Sequence, residues 1–279
     1  MRPTPTGAAL VAGVVGRPIA HSLSPVIHTA WIRAAGLDAL YAPFSPPDEQ
    51  FERFVRGFRG GAIRGLNVTA PFKERALALA DEADSAARDA GSANLLLFHE
   101  DGRTEARSTD GAGMLGAFTD QAAGHDLTRG PAVVLGAGGA ARAAVAALLD
   151  TGAPEVRIVN RTAARAEELV FVFRERVRAF ALADAAQAFA GAATLVNAAA
   201  GGPIPPLDAL PEHAAVMDMA YRPVRTALLQ AAQARGLTTV DGLSMLIKQA
   251  EPSFEAFYAR PVPEIDVRSL ALDAAEVRP

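Results

Sequence analysis

The chain of 279 residues contains no cysteine, which excludes a disulfide framework, a thiolate nucleophile and a cysteine-ligated metal. Its five histidines (His21, His28, His99, His125 and His213) show no metal-ligand spacing, so no metal site is expected. No apolar run reaches the ~18 residues of a membrane-spanning helix. No G-x-S-x-G segment is present, which argues against a serine hydrolase of that type. Positive charge is not in excess: 27 Lys and Arg against 31 Asp and Glu give a net charge of −4, unlike a nucleic-acid or anionic-membrane binder. Lysine is almost missing, since Lys73 and Lys248 are the only two among those 27. Arginine stays charged in proteins, whereas lysine can give up a proton. Each retained lysine is either a chance survivor or a group whose chemistry arginine cannot supply.

Half of the residues are hydrophobic, which predicts a folded chain of about two domains. The opening "MRPTPTGAALVAGVVG" faintly resembles a signal peptide. "ALVAGVV" is read instead as a first buried strand, because "GRPIAHSLSP" follows without a cleavage pattern, and a cytoplasmic protein is expected. Strands and helices then alternate. "SPVIHTAWIRAAG" predicts a helix capped by Ser24 with Pro25 in its first position, and "DEQFERFVRGFRGG" predicts an amphipathic helix. "IRGLNVT" predicts a strand, "PFKERALALADEADSAARDAG" a helix, and "ANLLLFHEDGRTEARSTDG" a hairpin turning at Asp101-Gly102. After residue 110, "PAVVLGAGGAARAAVAALLDTG", "EVRIVN", "AARAEELVFVFRER", "ATLVNAA" and "AAVMDMA" form a βαβ rhythm. That rhythm predicts a parallel, doubly wound sheet. "GLSMLIKQAEPSFEAFYA" reads as a closing helix.

"GAGGAA" fits G-x-G-x-x-A at Gly136, Gly138 and Ala141. The first glycine permits a tight turn, the second lets backbone approach a pyrophosphate, and the alanine lets helix and strand pack closely. With Ala137, Gly139 and Ala140, these residues open a helix whose free N–H groups suit an anion. The next strand ends at Asn160, 24 positions after Gly136. An acid there would bond a ribose 2′-hydroxyl and repel a 2′-phosphate. The chain instead has Asn160, Arg161 and Thr162, with Arg165 in the first helical turn. Cations at a helix N-terminus oppose the macrodipole unless an anion joins them, so the pattern predicts NADP (NADPH) in preference to NAD.

In the first half, Lys73 follows "NVTAPF" in a first helical turn that Thr69 or a neighbour could cap. Such a lysine can serve as acid or base. Asp110, in "STDGAG", is placed at a strand end beside the nucleotide domain. Ser22 and Ser24, two apart in "HSLSP", would point the same way if extended, towards an anionic group.

These segments together resemble the shikimate dehydrogenase family. The matches are "GRPIAHSLSP", "GLNVTAPFKE", "GSANLL", "STDGAG", "GAGGAARAA", "NRTAARAEEL", "MDMAYRP" and "DGLSMLIKQA", running from residue 13 to about 257. The resemblance implies reversible, NADPH-dependent reduction of 3-dehydroshikimate to shikimate, on the route to chorismate and the aromatic amino acids. It implies an α/β substrate-binding and catalytic domain over 1–110, completed by 242–279. It implies a Rossmann-like NADP-binding domain over 111–241, with a cleft between the two. Lys73 and Asp110 would be the catalytic pair. Ser22 and Ser24 would hold the substrate carboxylate, and Thr69, Asn94, Asp110 and Gln249 would bond the ring hydroxyls, with Tyr221 nearby. Asn160, Arg161, Thr162 and Arg165 match the family's NADP motif, and Met219 and Gly242 match positions at the nicotinamide end. The partner would be a small molecule, with no nucleic acid and no membrane, and the protein a monomer or homodimer.

Three positions depart from the family pattern: "NAAAGG" at 197–202, Leu95 after Asn94, and Ser85 in place of an acid. Two other readings stand beside the main one. A quinate/shikimate dehydrogenase would have broader substrate or NAD use. A non-catalytic ligand sensor would keep the fold, although Lys73 and Asp110 weigh against it.

Overall fold

The computed structural model describes residues 4–199 and 201–277. Contacts group the chain into two α/β units, one of Met1–Thr109 with Gln249–Pro279 and one of Asp110–Lys248.

The first unit contains β1 (Leu10–Val15), α1 (Ser24–Ala34), β2 (Ala39–Phe44), α2 (Phe51–Arg56), β3 (Gly65–Val68), α3 (Lys73–Leu79), β4 (Glu82–Ala83), α4 (Ser85–Ala90), β5 (Leu95–Phe98) and β6 (Thr104–Arg107). The sheet runs β2-β1-β3-β5-β6-β4. β1 is parallel to β2 and β3, β5 is antiparallel to β3, and β6 is antiparallel to β5. The C-terminal ends of β1, β3 and β6 therefore lie on the same sheet edge as the N-terminal end of β5. Val15, Phe51, Leu66, Val68, Phe72 and Leu96 pack one core, in which the Phe51 and Phe72 rings stack at 4.3 Å. Gly16 follows β1 because Thr69 fills its side-chain space: a Cβ there would lie 2.2 Å from Thr69 Cγ2.

Four local expectations are corrected. Ser24 does not cap α1 but is its first residue, after Leu23. The amphipathic helix after β2 is shorter than expected, a 3₁₀ turn at Asp48–Gln50 leading into α2. The single helix expected over "PFKERALALADEADSAARDAG" is broken into α3, β4 and α4. The break follows from two aspartates: Asp81 accepts the N–H of Thr104 at 2.8 Å, and Asp84 caps α4 by accepting the N–H of Ala87 at 2.7 Å. Asp110, expected at a strand end, opens a helix instead.

The second unit contains α5 (Asp110–Gln121), β7 (Ala132–Leu135), α6 (Gly139–Thr151), β8 (Val156–Asn160), α7 (Ala163–Phe173), β9 (Val177–Ala181), α8 (Ala185–Phe189), β10 (Thr194–Asn197), β11 (Ala215–Asp218), α9 (Ala227–Ala234) and β12 (Thr238–Asp241). Its sheet runs β12-β11-β10-β7-β8-β9 with every pairing parallel. Successive strand residues alternate between two cores. Val134, Ile158, Val196 and Met217 pack with Met114, Ala144 and Leu169 of α5, α6 and α7. Val133, Val159, Leu195 and Val216 pack with Phe189 and Leu228 of α8 and α9. This is the doubly wound arrangement that the βαβ rhythm predicts, with its switch point between β7 and β10. β9, β12, α8 and α9 are elements that the sequence reading did not single out.

α10 (Gly242–Tyr258) contains the return to the first unit at residue 249, and α11 (Val267–Val277) follows it. Among the described residues, no helix is long and apolar enough to cross a membrane.

Candidate active site

Polar side chains of the first unit gather at the shared sheet edge. Thr69 follows β3 directly and gives its N–H to the Val15 carbonyl at 2.9 Å, which joins the ends of β1 and β3. Its carbonyl accepts the N–H of Phe72, in a turn that leads into α3. Lys73 is the first residue of α3, and the preceding Phe72 supplies no side-chain cap. The expected capping by Thr69 is thus replaced by a backbone turn. The Lys73 carbonyl accepts the N–H of Ala93 at 2.9 Å, which sets the start of α3 beside the buried Asn94.

The two serines are not on an extended segment. Ser22 Oγ accepts the N–H of Ser24 at 3.3 Å, so it satisfies one of the unpaired N–H groups at the start of α1. That bond does not use the Ser22 hydroxyl proton. The Ser24 hydroxyl bonds the buried Tyr41 phenol, whose pKa is pushed well up by burial.

Three further residues, unmarked in the sequence reading, hold this edge together. Tyr41 donates to Asn67 Oδ1 at 2.7 Å. Asn67 Nδ2 donates to Ser253 Oγ at 2.8 Å and to the Asn94 carbonyl at 3.3 Å. Thr109 bonds Asn94 twice, and its hydroxyl donates to the Gln249 carbonyl at 2.9 Å. Ser24, Asn94 and Gln249 are therefore linked through short chains of hydrogen bonds within one unit, and Thr69 and Lys73 are placed nearby by backbone bonds of their own. A polar Asn67 inside an otherwise apolar strand was the available sequence signal.

The second unit places its candidates at the C-terminal ends of its parallel strands, where open α/β sheets bind ligands. Gly136 follows β7 with φ of +105°, and a Cβ there would meet the Ala199 nitrogen at 3.1 Å. Gly138 is the residue before α6, and a Cβ there would meet nothing within 4 Å. Backbone at Gly138 is thus open to a close ligand. Ala137, Gly139 and Ala140 are half-buried beside it, and Ala141 is fully buried in the helix–sheet contact.

Asn160 ends β8 and donates from Nδ2 to the Thr162 carbonyl at 2.9 Å. Thr162 precedes α7 and makes no side-chain cap, and the first turn holds no acid. Arg161 and Arg165 are both exposed there, and neither forms an ion pair among the described residues. Two exposed arginines thus stand by the positive end of a helix dipole.

Met219 follows β11 and Gly242 opens α10. A Cβ on Gly242 would lie 2.4 Å from the Met219 carbonyl oxygen and 2.6 Å from that of Ala220, so glycine is required by close backbone packing. Asp218, which sequence reading left unmarked, is buried at the end of β11. It accepts from Asn197 Nδ2 and the Ala220 N–H, both at 3.0 Å. Tyr221 is partly buried, which raises its phenol pKa. Asp110 is buried in the first turn of α5. Of the departures from the family pattern, Leu95 is buried in β5 and Ser85 begins α4. Ala200, in the segment at 197–202, lies outside the described residues. Lys248, the other retained lysine, is accounted for by packing. Its ammonium pairs with Asp120 at 3.4 Å, and its stem covers Gly116.

The fold and these positions define a two-unit α/β protein whose second unit is of the Rossmann type. Comparison with known proteins narrows the class. Residues 14–96 match the profile of the shikimate dehydrogenase substrate binding domain. Residues 119–205 match the shikimate / quinate 5-dehydrogenase profile. The chain is 57% identical over 274 residues to a shikimate dehydrogenase (NADP(+)) of Caulobacter vibrioides, covering 96% of each chain. It is 46% identical to a protein of the same name from Maricaulis maris, covering 96% of this chain and 98% of that one. Its structure resembles that of shikimate 5-dehydrogenase from Thermus thermophilus, solved with NADP(H) and shikimate. The TM-score is 0.83 at 36% identity, over 97% of this chain and 100% of the other. The chain belongs to the shikimate dehydrogenase family.

Proposed function

We propose that the protein is an NADP-dependent shikimate dehydrogenase, interconverting 3-dehydroshikimate and shikimate. The observation that carries this reading is the gathering of hydroxyl, amide and lysine side chains at one sheet edge of the first unit: Ser22, Ser24, Thr69, Lys73, Asn94 and Gln249. A small polyhydroxylated acid offers many hydrogen bonds, one negative charge and little apolar surface, and this array matches that chemistry. Full-length similarity to proteins named for the activity supports it.

The second unit fits an NADP molecule on its own residues. Gly136 to Ala140 would receive the pyrophosphate at the start of α6. Arg161 and Arg165, with Asn160 and Thr162, would take the 2′-phosphate. Met219 and Gly242 would border the nicotinamide. When bound, the nicotinamide supplies or accepts the hydride.

The remaining steps belong to side chains. Ser22 and Ser24 hold the carboxylate. Thr69, Asn94 and Gln249 orient the ring through its hydroxyls, and the family resemblance adds Tyr221 to the substrate's partners. Lys73 and Asp110 form the acid–base pair at the reacting oxygen. In the reductive direction the pair delivers a proton to the nascent alkoxide, and in the oxidative direction it removes one. Charge develops on that oxygen in the transition state, so a positioned ammonium stabilises it there more than in the ground state.

The test is an activity matrix of shikimate and quinate against NADP and NAD, followed at 340 nm. Highest kcat/KM for shikimate with NADP is expected. Preference for quinate or NAD would overturn the substrate or cofactor assignment respectively, and no turnover with any pair would overturn the enzymatic reading.

A further inference from the structure

Thr109 is the residue just before Asp110, and it is buried. Its backbone N–H donates to Asn94 Oδ1 at 2.8 Å. A backbone N–H can only donate, so the atom facing it must be the amide oxygen. The amide nitrogen then faces the Thr109 hydroxyl, and Nδ2 donates to Oγ1 at 2.9 Å. Having accepted there, the hydroxyl directs its own proton to the Gln249 carbonyl at 2.9 Å. The whole chain has one permitted polarity, from Asn94 Nδ2 through Thr109 Oγ1 to the Gln249 carbonyl.

Two more contacts tighten the arrangement. Ser253 Oγ also reaches the Gln249 carbonyl, at 3.3 Å. The Gln249 Oε1 stands 3.5 Å from Asn94 Nδ2, at the outer limit of hydrogen-bond distance. Asn94 and Gln249 are separated by 155 positions in sequence, and one residue sets the amide orientation of the first through its N–H and ties that amide to the backbone of the second through its hydroxyl. Threonine suits this task because its branched Cβ restricts χ1.

We infer that Thr109 is a positioning residue for substrate recognition. It fixes which atoms of the Asn94 amide face the substrate and anchors the backbone from which Gln249 reaches it, without itself touching the substrate. This rests on the proposed assignment of Asn94 and Gln249 as ring-hydroxyl partners.

Two variants separate hydrogen bonding from packing. Thr109→Val keeps the shape and removes the hydroxyl, whereas Thr109→Ser keeps the hydroxyl and removes the methyl. With Thr109→Val, the shikimate KM should rise about tenfold or more, as expected for loss of a buried hydrogen bond. The NADP KM should stay within about twofold of wild type on the same reasoning. Thr109→Ser should remain close to wild type in both. A second readout needs no turnover: in ¹⁵N spectra the Asn94 side-chain NH₂ should shift and exchange faster in Thr109→Val but not in Thr109→Ser. Should the valine variant not fold, Thr109→Ala is read by the same two measurements.

A normal shikimate KM in the hydroxyl-deleted variant, or equal losses in the valine and serine variants, would overturn the inference. If wild-type protein fails to turn over shikimate while the Asn94 amide responds as described, the functional assignment is what fails, and the hydroxyl's hold on Asn94 stands.

Discussion

Tyr41 donates its phenolic proton to Asn67 Oδ1 across 2.7 Å, reaching from β2 past β1 to β3. The same amide reaches Ser253 on α10, so a single side chain ties three elements of the first unit. Tyr41→Phe keeps the ring and removes the donor. It should lower unfolding stability by about 1 kcal/mol, the usual net worth of such a bond. It should also raise the shikimate KM severalfold while leaving the NADP KM unchanged. Denaturant titration and steady-state kinetics check this. A variant equal to wild type in both would show that the bond orders nothing.

His28 lies fully buried and stacks on Tyr41 with ring centroids 4.0 Å apart. Neither of its ring nitrogens has a hydrogen-bond partner among the described residues. Burial penalises the charged imidazolium and depresses the pKa to about 3. In the unfolded chain it returns to about 6.5. Between those values the unfolded state holds one more proton than the folded one. The folded state is therefore penalised progressively as pH falls from about 6.5 towards 3, by about 1.4 kcal/mol per pH unit where only the unfolded form is protonated. His28→Phe keeps an aromatic ring and removes the titration. Its stability should fall less steeply with acid than that of wild type over this window. Parallel pH profiles would contradict the burial of a neutral histidine.

Arg161 and Arg165 stand exposed at the positive end of α7. Charge-assisted bonds of about 1.5–3 kcal/mol each predict that removing both weakens NADPH on the order of 10²-fold or more. NADH, lacking the 2′-phosphate, should be affected far less. Fluorescence titration of Arg161→Ala/Arg165→Ala with the two cofactors measures the difference. Equal losses would mean the guanidinium groups serve no phosphate.

What the sequence made legible had local causes. The loop at Gly136 and Gly138 shows because a left-handed turn demands glycine at Gly136 and the glycine at Gly138 leaves its backbone open, and β8 ends at Asn160 as its apolar pattern indicates. Lys73 stood out through scarcity and adjacency to a helix start. The corrected and missed features have distant causes. Asp81 and Asp84 break the expected helix by bonding Thr104 and capping Ala87, and β4 pairs with β6. Asn67 and Thr109 depend on partners 186 and 140 positions away. Asn67 shows locally only as a polar residue in an apolar strand, and Thr109 carries no local mark; in neither case does the neighbourhood name the distant partner. Ser24, expected as the cap, lies one position further on as the first helical residue after Leu23, and Ser22 satisfies its N–H.

The assignment of Lys73 as a proton-transferring group is tested most directly by Lys73→Ala. Measured with shikimate and NADP, kcat should fall by about 10² or more, the contribution typical of a positioned acid or base. NADPH affinity, read separately by fluorescence, should stay near wild type. Turnover within a few-fold of wild type would contradict the chemistry proposed for this protein.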